Sequence, residues 1–217
     1  MNFFNFLVTN CDSIAPFIPI AVGVQKKTIF AGANRYLSFF LIAQVIFNTI
    51  SGILDKIADA DNIFLYQLNA FSSLIFMTFF FRYVLRDFRL SKYIIWVGWV
   101  LIALLGSYIL FLEPRNIFNS HSYSYTAILI VLYSLVYFYH KIINPTIGKI
   151  TGEADFWFVT GLFIYYSAAF LIFISYRMLT EQNANPGILW KMHNLIFVFM
   201  CVYITIGFIC KPSAKTY

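Results

Sequence analysis

Long apolar stretches separated by short polar segments follow one another along the whole chain. Six of these stretches have the length of about 17–25 residues that a helix needs to cross a bilayer. The first stretch of the chain also contains Pro16 and Pro19, so its helix is expected to be kinked or to start late. The pattern predicts an all-α, polytopic transmembrane helical bundle of seven spans, near residues 4–24, 36–54, 62–84, 93–112, 122–139, 156–176 and 190–209.

The composition supports a membrane protein with a single domain. Hydrophobic residues make up 61% of the 217 residues and charged residues 11%, whereas a soluble domain carries about 25% charged residues. The connections are short, and no Pro/Gly/Ser-rich linker divides the chain. Residues 1–217 are therefore expected to form one transmembrane domain, with the lipid bilayer as a partner and no module that binds nucleic acid.

The distribution of Lys and Arg predicts the orientation of the bundle. Eleven of the 15 Lys and Arg residues fall in alternate connections, which the positive-inside rule assigns to the cytoplasmic side. These eleven are Lys26, Lys27, Arg35, Arg82, Arg86, Arg89, Lys92, Lys141, Lys149, Lys211 and Lys215. We therefore expect the N-terminus outside and the C-terminus inside (N-out/C-in), in the cytoplasmic membrane of a bacterial cell.

Charged residues are not predicted near the midplane of any of the seven spans. Charges at that depth mark ion pathways, proton relays and cofactor counter-ions. Their absence argues against a proton-driven pump or an ion-coupled transporter. Retinal binding is excluded, because the last span has no Lys at mid-depth to form a Schiff base.

Neutral polar residues recur at helical spacing within the predicted spans. In the second span, for example, Gln44, Asn48 and Ser51 fall at i, i+4 and i+7 and share one helix face. Because amides are costly to expose to lipid, such faces are expected to point into the bundle. They either join helices through hydrogen bonds or line an uncharged pocket in the outer half. For the pocket, the candidate ligand-binding residues are Asn48, Ser51, Gln67, Asn69, Tyr166, His193 and Asn194.

Residues suited to catalysis or metal binding are few. The chain has three His and three Cys, and its Cys are too scattered for a zinc cluster or a disulfide framework. His121 and His193 are both predicted on the outer side, near Glu113 and Asp12, but their spacing matches no metal motif. We therefore predict no catalytic residue, no metal site and no cofactor, and we do not expect an enzyme.

Several short segments also occur in a recognisable order along the chain. They are the Pro-rich first span ending in Gly23, the region of Asn69, Ser122-Tyr123-Ser124, Tyr137-Phe138-Tyr139, Phe156-Trp157 with Gly161 and Tyr165, and His193-Asn194. In these segments the chain resembles a family of small, uncharacterised bacterial seven-helix integral membrane proteins. The resemblance implies a role beside a separate membrane sensor kinase, and it assigns no functional residue.

Taken together, these observations predict a receptor-like or sensory heptahelical membrane protein. It would recognise a small neutral ligand or a lipid from the outer half of the bundle. It would signal through a partner, such as a sensor kinase or another membrane subunit. The candidate partner-binding residues are Arg82, Arg86, Arg89 and Lys92, although positive-inside anchoring alone also explains them. Two alternatives stay open: a small-solute facilitator, and a lipid-modifying enzyme or structural subunit of a membrane complex.

Overall fold

The apolar stretches of the sequence fold into helices. The structure is a computed structural model that describes residues 11–54, 62–88, 91–112, 120–145, 148–182, 185 and 187–210. We number its main helices α1 Phe17–Gln25, α2 Asn34–Ile53, α3 Ile63–Val84, α4 Ser91–Phe111, α5 Ser120–Ile143, α6 Ala154–Glu181 and α7 Gly187–Ile209. One 3-10 turn, Ile150–Gly152, precedes α6, and the described ranges contain no strand.

Six of the helices, α2 to α7, are long and apolar enough to cross a membrane, which confirms six of the predicted spans as helices of that kind. The helical segment Cys11–Gln25, which ends in α1, is shorter. It is interrupted at Ala15 and Pro16, in agreement with the predicted kink, because proline has no N–H for the helical ladder. Residues 4–10 of the first predicted span lie outside the described residues. The described residues therefore contain six helices able to cross a membrane, which indicates a multi-pass membrane protein, whereas the seventh span stays a prediction.

Consecutive helices run antiparallel. Tyr165 of α6 contacts His193 near the start of α7. Gly161, one turn earlier in α6, instead faces Tyr203, which lies further along α7. The bundle therefore has one end where α1–α2, α3–α4 and α5–α6 are connected, and an opposite end where α2–α3, α4–α5 and α6–α7 are connected.

The two ends differ in charge. The first end carries, by sequence, eleven of the 15 Lys and Arg residues, and we call it the basic end. The opposite end carries six of the nine Asp and Glu residues, and we call it the acidic end. Those six are Asp12, Asp55, Asp59, Asp61, Glu113 and Glu181.

Six helices form a closed ring, and α4 lies outside it. The packing passes from α1 to α2, α3, α5, α6 and α7, and α7 packs against α1. Helix α4 packs chiefly against α3 and touches α5 much less. Its outer face carries large exposed apolar side chains, including Trp96 (72% exposed) and Phe111 (81% exposed). Apolar side chains on that face suit a helix that contacts lipid on most of its surface.

Phenylalanine rings fill the half of the ring nearer the basic end. Phe80 and Phe81 of α3, Phe158 of α6 and Phe208 of α7 are all buried. The ring centroids of Phe80 and Phe158 are 6.3 Å apart, and those of Phe158 and Phe208 are 5.4 Å apart. Both pairs meet edge to face, an arrangement that aromatic rings favour. This phenylalanine layer separates the polar residues near the acidic end from the basic end.

Helices α6 and α7 approach each other most closely at two glycines. A Cβ atom on Gly161 would lie 2.6 Å from Tyr203 Cβ, and a Cβ atom on Gly207 would overlap the ring of Phe158. Small residues at helix interfaces in membranes allow such close approach. The two helices therefore form a tightly packed pair.

Candidate functional site

A small cavity lies inside the ring of helices, near the acidic end. Its volume is about 30 Å³, which holds one or a few water-sized groups, whereas a site for a drug-sized ligand has roughly 300–1,000 Å³. Helices α2, α3, α5, α6 and α7 and the short helical stretch before α1 all supply lining residues, and α4 supplies none of those described. The lining residues are Asp12, Gln44, Asn48, Tyr66, Asn69, Ala70, Ser73, Tyr123, Thr126, Tyr165, Tyr166, Phe173, Trp190, His193 and Phe197.

An amide pair between α2 and α3 forms one wall of the cavity. Gln44 Nε2 donates to Asn69 Oδ1 at 2.6 Å, and Asn69 Nδ2 donates back to Gln44 Oε1 at 3.0 Å. Ser73, one turn further along α3, donates from Oγ to Asn69 Oδ1 at 3.4 Å. All three side chains are buried, so these bonds replace the hydrogen bonds that water would otherwise make.

A second wall, supplied by α6 and α7, is built around His193. Its Nε2 lies 2.8 Å from the Tyr165 hydroxyl oxygen, and its Nδ1 lies 3.3 Å from Asn194 Oδ1. Because an amide oxygen only accepts, Nδ1–H donates to Asn194, and Nε2 of the neutral ring accepts from the Tyr165 hydroxyl. The rings of Trp190 and Phe173 pack against the imidazole at 5.4 and 5.2 Å. The imidazole is thereby fixed in one tautomer and one orientation.

Further hydrogen bonds beside the cavity join α2 to α3 and to the short helical stretch before α1. Ser51 Oγ donates to the Tyr66 hydroxyl oxygen at 3.2 Å and accepts from Asn62 Nδ2 at 2.9 Å. Asn48 Nδ2 donates to the backbone oxygen of Asp12 at 3.4 Å. The bond from Asn48 holds the backbone of Asp12 beside the cavity.

The structure brings together four of the seven predicted ligand-binding residues at the cavity. These four are Asn48, Asn69, Tyr166 and His193. The other three are buried behind the lining, and they are Ser51, Gln67 and Asn194. Ser51 and Asn194 hydrogen-bond to side chains of the lining, as described above, so they position the wall without forming it. A role of the seven residues in ligand binding stays a prediction.

Other lining residues were not among the predicted ligand-binding residues. Gln44 and Tyr66 lie on the polar helix faces that the sequence indicates, so the same periodicity points to them. Tyr123 and Trp190 carry no such signal, because aromatic residues near the ends of spans are also expected at the membrane interface. The lining also includes the acidic residue Asp12, which was not among the predicted ligand-binding residues.

A metal site is not formed by the described residues, which contain no group of three His, Cys, Asp or Glu side chains able to hold an ion. His121 meets the ring of Tyr108 in α4 edge to face at 6.2 Å, outside the ring of helices. His193 lies inside that ring, so the two histidines predicted on the same side do not converge. Glu113, the acidic residue considered with them, lies outside the described residues.

The candidate partner-binding residues lie at the basic end, as their positions in the sequence indicate. Arg82, Arg86 and Lys92 are exposed, and Arg89 lies outside the described residues. The Arg86 guanidinium lies 4.8 Å from the ring centroid of Tyr83, a contact that orients the charge without hiding it. This exposed cationic surface is available to lipid headgroups or to a partner.

The cavity offers amide, hydroxyl and imidazole groups for hydrogen bonds, together with aromatic rings for apolar contact. Such a lining is suited to holding a small group from several sides. Comparison of the chain with protein-family models, with curated proteins and with solved structures found no match.

Proposed function

We propose that this protein is a receptor-like or sensory membrane protein that binds a small ligand in the cavity and signals through a partner protein. The observation that supports this proposal is the convergence of six segments of the chain on one polar and aromatic cavity. A ligand in that position contacts most of the ring at once. Its binding energy can therefore favour one arrangement of the helices over another. A ligand larger than the present cavity requires the walls to move apart.

Helices α6 and α7 offer a route from the cavity to the basic end. They carry Tyr165 and His193 in the cavity wall, and their glycine contacts lie further toward the basic end. At that end, Lys141 of α5 forms an ion pair with Glu153, directly before α6. A shift of the α6–α7 pair on ligand binding would therefore be transmitted to the connection between α5 and α6.

The proposed orientation is N-out/C-in, with the first segment as a seventh span, in a bacterial cytoplasmic membrane. The excess of Lys and Arg at the basic end supports this orientation. The cavity then lies in the outer half of the bilayer. Arg82, Arg86, Arg89 and Lys92 then face the cytoplasm, where a sensor kinase or another membrane subunit would bind them.

The phenylalanine layer favours a receptor over a small-solute facilitator. A facilitator needs a polar route that can open to both sides of the membrane. Below the cavity the described residues instead place Phe80, Phe81, Phe158 and Phe208, which are 0–1% exposed. Several large rings would have to move before a solute could pass.

Native mass spectrometry of the full chain, extracted gently from its own membrane, tests the proposal. We expect a stoichiometric complex with a second protein. The Arg82→Ala/Arg86→Ala double variant should lose that protein, whereas Lys26→Ala/Lys149→Ala, which removes two exposed cations from the same end, should keep it. Tyr166→Ala should keep the complex but change the activity of the partner, measured as autophosphorylation when the partner is a kinase.

A different set of results would contradict the proposal. A protein found alone, with saturable flux of solutes into liposomes that contain it, would support the facilitator instead. Turnover of added phospholipid, lost on His193→Ala, would support the lipid-modifying enzyme.

A further inference from the structure

One acidic side chain, Asp12, lies among the described lining residues of the cavity. Asp12 is the only Asp, Glu, Lys or Arg among the described lining residues. Its Oδ1 accepts a hydrogen bond from the backbone N–H of Ser13 at 2.9 Å, which fixes the carboxylate beside the cavity. In surroundings of low polarity, such a charge strongly favours a positive partner.

The volume of the cavity limits the kind of group that can enter. About 30 Å³ admits one or a few groups of the size of a water molecule. A primary ammonium group, –NH₃⁺, is close to a water molecule in size, whereas a quaternary ammonium group is several times larger. A bare metal ion is disfavoured, because the described residues provide no set of three His, Cys, Asp or Glu ligands.

The remaining lining suits an ammonium group. Seven of the 15 lining residues are aromatic, and they are Tyr66, Tyr123, Tyr165, Tyr166, Phe173, Trp190 and Phe197. The faces of such rings attract cations. The three N–H donors of an ammonium group also need acceptors, which hydroxyl and amide oxygens of the lining provide.

The charge of the acidic end also favours the binding of a cation. By sequence this end has six Asp and Glu residues and four Lys and Arg residues, so it is net negative. The basic end has eleven Lys and Arg residues and three Asp and Glu residues. An excess of negative charge near a binding site raises the local concentration of cations, and by sequence the connections at the end nearer the cavity carry this excess.

We propose that the cavity receives the primary ammonium head of a small organic cation, with Asp12 as its counter-ion and the aromatic rings around it. This inference rests on the proposed function and specifies the ligand class of the same site, as a cation in place of the small neutral ligand or lipid that the sequence predicts. The body of the ligand would extend from the head toward the acidic end.

Calorimetric titration of the full chain in phosphatidylcholine nanodiscs tests the inference, with n-butylammonium chloride as the probe. The matched probes are 1-butanol, which has the same carbon chain without the charge, and NaCl at equal ionic strength. We expect saturable binding of n-butylammonium and none of the other two. Asp12→Asn should weaken that binding on the order of tenfold or more, Asp12→Glu should retain it, and Asp87→Asn, an exposed carboxylate at the basic end, should leave it unchanged.

Three outcomes would overturn the inference. Equal binding of 1-butanol would show that charge is not recognised. Unchanged binding to Asp12→Asn, in a variant that elutes and unfolds like the parent protein, would remove Asp12 as the counter-ion. The absence of saturable binding would make the cavity a hydration site only. If n-butylammonium does not bind but the complex with the partner protein is found, the proposed function stands with another ligand. If n-butylammonium binds but no partner protein is found, only the proposed function is overturned.

Discussion

The Gln44–Asn69 amide pair illustrates how single side chains hold the cavity wall together. Each amide gives and accepts one bond with the other, so replacing one leaves the second buried with unmet hydrogen bonds. We expect Gln44→Leu and Asn69→Leu each to lower the free energy of unfolding by about 1–3 kcal/mol. The double variant should lose clearly less than the sum of the two.

A double-mutant cycle in detergent, followed by denaturant or thermal unfolding, measures this coupling between the two amides. Strict additivity of the two single effects would contradict the reciprocal pairing.

Removal of the Tyr165 hydroxyl is a second test of the role of a single side chain. Tyr165→Phe keeps the ring but removes the donor to His193 Nε2. We expect a loss of about 0.5–1.5 kcal/mol in unfolding free energy, measured by thermal unfolding. Tyr139→Phe is the matched control, because Tyr139 is 59% exposed and should change stability little. Equal effects of the two changes would rule out a structural role for the Tyr165–His193 bond.

Individual site residues could be predicted from the sequence only where helical periodicity identifies them. Asn48 and Asn69 each lie at helical spacing from other polar residues of the same span. Because an amide is costly to expose to lipid, each is expected to point into the bundle. The location of Asp12 at the wall depends on how the segment before α1 sits against Asn48. That contact joins residues 36 positions apart, so no local pattern contains it.

At the scale of helices, the glycine contacts between α6 and α7 predict where the bundle tolerates no added volume. Gly161→Ala and Gly207→Ala should each destabilise the protein by about 1–3 kcal/mol, because the new Cβ displaces Tyr203 or Phe158. Gly52→Ala provides the control, since open space surrounds that position in α2. Unfolding of the three variants in one detergent measures the difference. Comparable losses at Gly52 and Gly161 would contradict the close packing of α6 and α7.

The helices themselves were largely predictable, whereas their arrangement was not. Apolar length predicted the six helices that are able to cross a membrane within a few residues. Helices α5 and α6 extend beyond their predicted ranges of 122–139 and 156–176. The position of α4 outside the ring can be recognised only when the six helices are compared with one another. Of the six, α4 has the highest mean hydropathy and the smallest buried fraction, because a helix that faces lipid needs no polar residues for its neighbours.

At the scale of the whole molecule, the charge difference between the two ends predicts the orientation in the membrane. In a background without the three native cysteines, Asn185→Cys at the acidic end should react with a membrane-impermeant thiol reagent applied to intact cells. Lys149→Cys at the basic end should react only after the cells are permeabilised. Both positions are exposed in the structure, so a lack of labelling at either would not reflect burial. The reverse labelling pattern would contradict the N-out/C-in orientation.

The packing of α1 against α7 also bears on the order in which the protein is made. A chain grows from its N-terminus, so α1 is synthesised well before its neighbour α7. During that interval, Gln44 and Asn69 can already pair, but Tyr165 and the helical stretch before α1 still lack the helix that carries His193 and Trp190. A chain halted before α7 would leave polar groups of the cavity facing lipid. Membrane proteases and chaperones would then be able to recognise incomplete chains by these exposed polar groups.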